Sequence, residues 1–393
     1  MTPPARVQAA IEILDAWMAG SEGLDRVLAA WGRTHRFAGS GDRRRIADLV
    51  YDGVRRRRSS AWVAGTEDDD PRGVIRGSLM QDGTPLEPLF DGSRYGPPAM
   101  TEEERVVREL HDAPRAVQLD YPDWLDPGLA HVAEPALSAL RAQAPVDLRV
   151  NSIKVGIADV SAVLREEGIV VEPICSAPLA LRVTEGARRV AASRAYSEGL
   201  VEIQDAASQR AATFAGAKPG MTVLDLCAGG GGKTLALGAD MKGQGRLIAH
   251  DISTARMKDL PQRAARAGLR VDAIASADLS ELSRQCDLVV VDAPCSGTGA
   301  WRRNPDHKWR LTANELERLE GVQVGLLEQA IGLCAPGGQI VYMTCSILER
   351  ENGVQIERFL DRRPDWTRRD ELVLSPADGT DGFYAARLRA TAR

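Results

Sequence analysis

Hydrophobic positions near the N-terminus recur three or four residues apart, which predicts helices that share an apolar face. Two segments show this spacing, with Val7, Ile11, Leu14 and Met18 in the first, and Ile46, Leu49, Val50 and Val54 in the second. Residues 66–100, rich in Gly, Pro and Asp, predict loops and short helices, and helical character returns near 101–110. The pattern predicts one helical domain over residues 1–128.

The middle of the chain changes to shorter apolar runs. The pattern predicts a strand at 148–151, a helix at 160–167 and further strands at 169–173 and 179–183. We therefore expect a small α+β subdomain over residues 129–200.

From residue 201 continuous apolar runs alternate with helical stretches. Such runs are typical of parallel strands buried on both faces, and they lie at 222–226, 246–249, 271–275, 288–291 and 339–343. The alternation predicts an α/β fold with a doubly wound, Rossmann-like sheet over residues 201–393. Ligands of such sheets bind at the carboxyl ends of the strands.

The composition argues against a membrane-spanning, secreted or disulfide-rich protein. The 393 residues carry a net charge of −5, and no apolar run approaches the 18 residues expected of a membrane span. The N-terminus lacks the apolar core of a secretory signal. Six cysteines are too few for a disulfide framework in a chain of this length, so we expect a reducing cytoplasm.

Local charge differs from the net charge, because arginines cluster in the first 65 residues, at 43–45 and 55–58. Such clusters attract RNA phosphates, but a solvated helix face explains either run equally well. The candidate RNA contacts in this region are Arg43, Arg44, Arg55 and Arg56.

The segment LDLCAGGGGKT (224–234) predicts a loop that binds a ligand. A phosphate-binding P-loop requires glycine where Cys227 stands, and a dinucleotide loop requires glycine where Thr234 stands. A loop for S-adenosylmethionine fits better, because acids follow the next two predicted strands. Asp251 is placed for the ribose hydroxyls, and Asp278 for the adenine amino group.

Two thiols follow the last two strands, Cys295 in DAPCSGTG (292–299) and Cys345 in YMTCSI (342–347). Their spacing suits no common zinc site, so we expect no metal. Methylation at carbon 5 of a pyrimidine uses a thiolate that adds to carbon 6, with an acid such as Asp292 assisting at ring nitrogen 3. From the residues alone, either cysteine could be the nucleophile.

These motifs, together with RRNPDHKWR (302–310), VEIQDAASQ (201–209) and LRVNSIK (148–154), resemble the Sun/Fmu (RsmB) branch of the Nop/Sun RNA cytosine-C5 methyltransferase family. The resemblance implies a NusB-like N-terminal domain, a ferredoxin- or RRM-like subdomain and a methyltransferase domain. It implies small-subunit (16S) ribosomal RNA as substrate, and we expect a monomer.

The resemblance also assigns roles to residues. Cys345 is implied as the nucleophile and Cys295 as the residue that assists product release, with Asp292 and Lys233 beside them. The implied cofactor contacts are Cys227, Ala228, Gly229, Gly230, Gly231, Gly232, Lys233, Asp251, Asp278 and Asp292. Four basic residues could hold RNA phosphates: Arg302, Arg303, Lys308 and Arg310.

One position departs from the family, which usually has proline where this chain has Gly230, so the loop is less stiff. Three alternatives stay open: a tRNA or large-subunit rRNA methyltransferase, an RNA-binding assembly factor without activity, and a P-loop NTPase. Retention of both thiols argues against the second, and the Cys227 mismatch argues against the third.

Overall fold

The structure is a computed structural model that describes residues 1–391. The chain divides into two compact units. The first contains residues 1–143 and 301–311, and the second contains the remaining residues. The three domains expected from the sequence stay a prediction.

Residues 1–391 contain sixteen α-helices, in chain order α1 (Pro3–Ala19), α2 (Leu24–Thr34), α3 (Ser40–Arg55), α4 (Arg57–Ala64), α5 (Pro71–Gln81), α6 (Arg115–Gln118), α7 (Asp126–Leu129), α8 (Glu134–Ala139), α9 (Ile157–Glu166), α10 (Arg194–Ser197), α11 (Ala206–Ala215), α12 (Gly232–Asp240), α13 (Leu260–Ala267), α14 (Pro305–Arg310), α15 (Ala313–Leu333) and α16 (Gly353–Arg362). The same residues contain eleven strands, β1 (Val146–Val150), β2 (Val170–Pro173), β3 (Ala180–Glu185), β4 (Val201–Ile203), β5 (Thr222–Asp225), β6 (Arg246–His250), β7 (Asp272–Ile274), β8 (Cys286–Asp292), β9 (Cys334–Thr344), β10 (Trp366–Leu374) and β11 (Phe383–Ala390).

The first unit is helical, as the apolar spacing predicts. Val7 and Leu14 of α1 pack with Val50 and Val54 of α3 in one buried core. Residues 66–100 contain a helix and loops, as predicted, whereas the prediction for 101–110 needs correction. Residues 71–81 form a full helix, because Asp70 accepts a hydrogen bond from Arg72 N–H and Pro71 starts the helix. Residues 101–110, predicted as helical, form only short 3₁₀ turns.

The second unit contains a small antiparallel sheet in the order β2-β3-β1-β4. The strands expected at 148–151, 169–173 and 179–183 correspond to β1, β2 and β3. Strand β4 lacks a sequence prediction, since three residues are too short for a periodic signal. Its pairing with β1 through Val150 and Val201 joins the small sheet to the segment that leads into the larger sheet.

The second unit also contains a seven-stranded sheet in the order β10-β11-β9-β8-β5-β6-β7. Strands β5 to β9 are parallel to one another, which confirms the Rossmann-like α/β prediction. The antiparallel strands β10 and β11 have no counterpart in the sequence prediction, and they extend the sheet beside β9. The parallel strands end at a common edge, where the candidate site residues lie.

Candidate active site

The glycine loop connects β5 to α12 and takes its shape from backbone conformations that favour glycine. Gly229 and Gly231 have φ angles of 53° and 85°, in the left-handed region. A Cβ atom at Gly231 would lie 2.3 Å from Leu260 Cδ1. At Gly230, where φ is not in that region, a Cβ would meet only Arg263 Nη1, at 3.3 Å. Glycine is therefore required at Gly231 and dispensable at Gly230.

Asp251 follows β6 and closes the glycine loop. Its carboxylate is 2% exposed, accepts the Gly229 N–H at 2.9 Å and the Ser253 N–H at 2.9 Å. Arg256 Nη1 lies 3.1 Å from Oδ2 of the same carboxylate. The sequence did not single out Arg256. The predicted ribose acceptor thus also has a structural role, since it links the end of β6 to the loop after β5.

Asp225, at the end of β5, is completely buried. Burial raises its pKa to about 7. The Thr234 hydroxyl donates a hydrogen bond to Oδ2 at 2.7 Å, whereas Oδ1 makes no hydrogen bond of good geometry within residues 1–391. A buried acceptor without a well-placed donor is costly.

The remaining predicted cofactor contacts differ in how deeply they are buried. They are Cys227, Ala228 and Asp278. Cys227 is half-buried and Ala228 is buried in the loop. Burial raises the pKa of the Cys227 thiol well above its usual value, so this cysteine stays protonated. Asp278 is exposed in the turn after β7, where it accepts a hydrogen bond from the Ala275 N–H.

Lys233 and Asp292 form an ion pair at the ends of β5 and β8. Lys233, in the first turn of α12, places Nζ 2.8 Å from Asp292 Oδ2 and 4.8 Å from the centre of the Phe383 ring. Burial disfavours the ammonium, but the Asp292 carboxylate outweighs burial and raises the pKa of Lys233. The pair therefore keeps a charged proton donor beside the two thiols.

Cys295 and Cys345 lie with their sulfur atoms 3.5 Å apart. Both are half-buried, and neither is part of a disulfide. The hydrogen bond with Cys345, together with burial, raises the pKa of Cys295 well above its usual value. The structure thus brings together four residues named from the sequence: Lys233, Asp292, Cys295 and Cys345.

The candidate RNA contacts of the first unit differ in accessibility. Arg43 and Arg44 are exposed on α3, and Arg43 Nε donates to Ala38 O at 2.8 Å. Arg55 is buried and paired with Asp52 at 2.9 Å. Arg56 makes two hydrogen bonds to the Asp82 carboxylate. Arg43 and Arg44 can reach RNA, whereas Arg55 and Arg56 support the helical fold.

The second group of candidates, in residues 302–310, also needs correction, because this segment packs within the first unit. Lys308 is 1% exposed, and its Nζ donates to Arg55 O at 3.0 Å. Burial lowers the pKa of Lys308 to about 7. Arg302 is buried and Arg303 half-buried, and Arg310 donates to Glu22 O. The structure does not support Lys308 or Arg302 as phosphate contacts.

A groove in the first unit is lined by small and aliphatic side chains together with three arginines and one tryptophan. Its volume is about 640 Å³, and its lining includes Arg33, Arg36, Arg43 and Trp31. The Trp31 ring stacks on His35, with 4.2 Å between the ring centres. The sequence pattern does not indicate the groove, because its walls come from α1, α2, α3 and the loop between α2 and α3.

Metal clusters and membrane-crossing helices are both absent from the part of the chain that the structure describes. No cluster of three or more His, Cys, Asp or Glu side chains in residues 1–391 could hold a metal ion. Within the same residues, no helix has the length and apolar character that a membrane crossing requires.

The fold and the site define a class of protein. A parallel sheet with a glycine loop after its first strand, an acid after the next and a further acid after the fourth is typical of α/β methyltransferases. The family profile described as 16S rRNA methyltransferase RsmB/F matches residues 212–389.

Relatives extend this match over more of the chain. The probable ribosomal RNA small subunit methyltransferase B of Bacillus subtilis is 30% identical over 325 residues, which cover 75% of this chain and 71% of that protein. The corresponding protein of Pasteurella multocida is 32% identical over 68% of this chain and 65% of its own length. The chain belongs to the ribosomal RNA small subunit methyltransferase B family, which confirms the resemblance seen in its motifs.

Solved structures agree with the fold. The crystal structure of PH0851 superimposes with a TM-score of 0.75 at 24% identity and covers 99% of both chains. A methyltransferase homologue from Pyrococcus horikoshii has a TM-score of 0.61 at 25% identity, and the match covers 70% of this chain and 97% of that one.

Because the chain belongs to this methyltransferase family, its cofactor is S-adenosylmethionine. The residues at the ends of β5 and β6 fit it. Gly229 and Gly231 leave backbone without side chains, the buried Asp225 Oδ1 is an acceptor without a donor, and Asp251 is fixed beside the loop. This set suits a ligand that carries an ammonium group and ribose hydroxyls.

Proposed function

We propose that this protein methylates carbon 5 of a cytidine in RNA, with small-subunit ribosomal RNA as substrate. The observation that carries the proposal is the pair of thiols 3.5 Å apart, beside the Lys233–Asp292 ion pair. Methyl transfer to oxygen or nitrogen has no need of two adjacent thiols, whereas carbon 5 becomes nucleophilic only after a thiolate adds to carbon 6. The names of the relatives support the small ribosomal subunit as the source of the RNA.

Cys345 is the proposed nucleophile, in agreement with the resemblance of YMTCSI to the family. Its thiolate forms a bond to carbon 6, and the ring becomes an enamine with electron density at carbon 5. The Asp292 carboxylate accepts a hydrogen bond from ring nitrogen 3 as that nitrogen is protonated, and the Lys233 ammonium, 2.8 Å from Oδ2, is the nearby group that carries a proton to supply. S-adenosylmethionine supplies the electrophilic methyl group.

Cys295 is the proposed base for product release. The neighbouring Cys345 raises the pKa of Cys295, so the two thiols do not both ionise at rest. Once Cys345 is bonded to carbon 6 it has no negative charge, and Cys295, which is only half-buried, can then lose its proton to solvent more easily. The Cys295 thiolate removes the proton from carbon 5, and the bond from Cys345 to carbon 6 breaks to give 5-methylcytidine.

The groove of the first unit that α1, α2 and α3 line is the proposed docking site for RNA in that unit. Arg33, Arg36 and Arg43 supply positive charge, and Arg44 lies exposed next to Arg43. Guanidinium groups bind phosphates, and aromatic rings such as Trp31 stack on unpaired bases. Complementary charge therefore favours RNA as the occupant.

The proposal is tested by incubating the protein with labelled S-adenosylmethionine and small-subunit RNA from a strain without this protein. We expect 5-methylcytidine at one position, with none formed by the Cys345→Ala variant. A product methylated at another atom, or full activity in that variant, would exclude the proposed chemistry.

A further inference from the structure

Glu351 is a buried carboxylate to which neither the sequence motifs nor the proposed chemistry gives a role. It ends the short turn Glu349–Glu351 after β9 and has no exposed surface. Burying a carboxylate is costly unless hydrogen bonds compensate, so the fold must retain Glu351 for its contacts.

The Glu351 side chain is bound to the loop that carries Cys295. Oε1 accepts the Ser296 N–H at 2.8 Å, and Oε2 accepts the Ser296 hydroxyl. Ser296 directly follows Cys295 in the chain. One carboxylate therefore fixes both the backbone and the side chain of the residue next to that thiol.

The same residue is bound to the segment that carries Cys345. The Tyr342 hydroxyl, on β9, donates to the Glu351 backbone carbonyl at 2.7 Å. Gln323 of α15 donates both to Glu351 Oε1 and to Pro294 O, each at 3.0 Å. Glu351 thus lies between the Cys295 loop and the strand that leads to Cys345.

Three hydroxyl groups continue the link between the two loops. The Thr298 and Ser346 hydroxyls lie 3.0 Å apart, and the Ser296 and Ser346 hydroxyls 3.3 Å apart. The Ile347 N–H donates to Thr298 Oγ1 at 2.9 Å. These hydrogen bonds connect the loop that carries Cys295 to the loop that carries Cys345, next to their two sulfur atoms, which are 3.5 Å apart.

The geometry points to Glu351 as a positioning residue that holds the Cys295 loop against the Cys345 loop and sets the distance between the two sulfur atoms. This inference rests on the proposed function, which needs both thiols at one cytosine ring. The negative charge of Glu351 adds to the effects of Cys345 and of burial in keeping Cys295 protonated before the nucleophile reacts.

The test measures the distance between the thiols directly, without RNA. Diamide oxidises two neighbouring thiols to a disulfide and is itself reduced to the hydrazine. We expect rapid formation of the Cys295–Cys345 disulfide in the wild type, because the sulfurs need to approach by only about 1.5 Å to reach the disulfide bond length. The rate is followed by mass spectrometry of the alkylated peptides.

Two variants separate positioning from folding. Glu351→Asp keeps the charge but is one methylene shorter, and Ser296→Ala removes only the hydroxyl that binds Oε2. Glu357→Asp, at an exposed position of α16, is the matched control. We expect about tenfold slower oxidation in Glu351→Asp and a smaller effect in Ser296→Ala. We also expect kcat for methyl transfer to fall about 10- to 100-fold, with KM for S-adenosylmethionine little changed, as for a group misplaced by about 1 Å.

An unchanged oxidation rate in folded Glu351→Asp would overturn the positioning role, and so would a loss of activity caused by a higher KM alone. If Glu351→Asp does not fold, the Ser296→Ala variant decides by the same criteria. If Glu351→Asp is oxidised more slowly but the wild type produces no 5-methylcytidine, the positioning role stands and the proposed function is rejected. The failure of the inference and the failure of the proposed function are therefore distinguishable.

Discussion

The sulfur atoms of Cys295 and Cys345 lie 3.5 Å apart, although 50 residues separate them in the chain. Strands β8 and β9 are parallel neighbours, with Asp292 opposite Met343. Cys345 directly follows β9, and Cys295 lies three residues beyond the end of β8, at the same edge of the sheet. Two thiols at this distance allow one to bond to the ring of the substrate while the other takes a proton from it.

The Lys233–Asp292 ion pair is predicted to contribute to the chemical step. Asp292→Asn removes the carboxylate 2.8 Å from Lys233 Nζ, and we expect kcat to fall about 10²- to 10⁴-fold, the range typical of general acid–base catalysis. Asp361→Asn, at an exposed position of α16, is the control and should retain wild-type kcat. Steady-state kinetics with labelled S-adenosylmethionine measure both, and an Asp292→Asn enzyme with normal kcat would remove this residue from the mechanism.

Adjacent glycines of the cofactor loop should respond in opposite ways to the same substitution. In Gly231→Ala the new Cβ would lie 2.3 Å from Leu260 Cδ1 at a φ of 85°, so we expect loss of stability and of cofactor binding. In Gly230→Ala the only close atom is Arg263 Nη1, at 3.3 Å, so the Arg263 guanidinium, which pairs with Glu202, needs to shift by only a few tenths of an ångström. This variant should gain about 0.4–1 kcal/mol in the free energy of unfolding, because alanine restricts the unfolded chain.

Calorimetry of unfolding and of S-adenosylmethionine binding tests this pair of variants. Equal effects at the two positions would show that the cofactor binds to a different conformation of the loop.

Much of the fold could be predicted from the sequence, because the parallel strands are continuous apolar runs and the first helices have regular spacing. Strands β10 and β11 could not. Residues 366–374 (β10) are exposed along most of their length, so their apolar content is too low for a buried-strand pattern. Strand β10 pairs with β11, and β11 pairs with β9, so the placement of both strands depends on tertiary contacts.

Lys308 is predicted to make the free energy of unfolding of the first unit depend on pH. Its pKa is lowered to about 7 in the folded protein, whereas an unfolded lysine titrates near 10.4. Below pH 7 the folded unit must bury the charge, and this cost disappears as the pH rises through the interval up to the unfolded pKa. The wild type should therefore gain stability relative to Lys308→Met between pH 7 and pH 10.

Thermal unfolding of the two proteins across this pH range measures the difference. Lys218→Met, at an exposed position, should follow the wild type throughout. Parallel curves for the wild type and Lys308→Met would contradict a lowered pKa at Lys308.

The basic groove is predicted to contribute electrostatic affinity for RNA. In the Arg43→Ala/Arg44→Ala variant we expect weaker binding and a smaller dependence on salt. The slope of log K against log salt should fall by about 0.7 for each phosphate of single-stranded RNA that the variant no longer neutralises. Filter binding of small-subunit RNA fragments at several salt concentrations measures the slope. Arg369→Ala, which removes an exposed arginine of the other unit, should leave it unchanged.

Candidate site residues could be predicted from the sequence where a short motif contains the reactive groups. They could not be predicted where the role of a residue depends on whether its side chain is buried. Cys295, Cys345 and Asp292 stand out because thiols and an acid follow strands in Pro-, Ser- and Gly-rich segments. Lys308 looks like a phosphate contact in the sequence, since only the packing of residues 301–311 on the first unit shows that it is buried. Glu351 was missed for the same reason, because its partners come from three separate segments.

Trapping of the covalent intermediate tests the central claim most directly. The Cys295→Ala variant, incubated with S-adenosylmethionine and small-subunit RNA, lacks the proposed base for release. We expect a protein–RNA adduct that survives denaturing electrophoresis, with peptide mass spectrometry locating the bond at Cys345. An adduct attached at Cys295 in the Cys345→Ala variant, with none at Cys345, would contradict the account and reverse the roles of the two thiols.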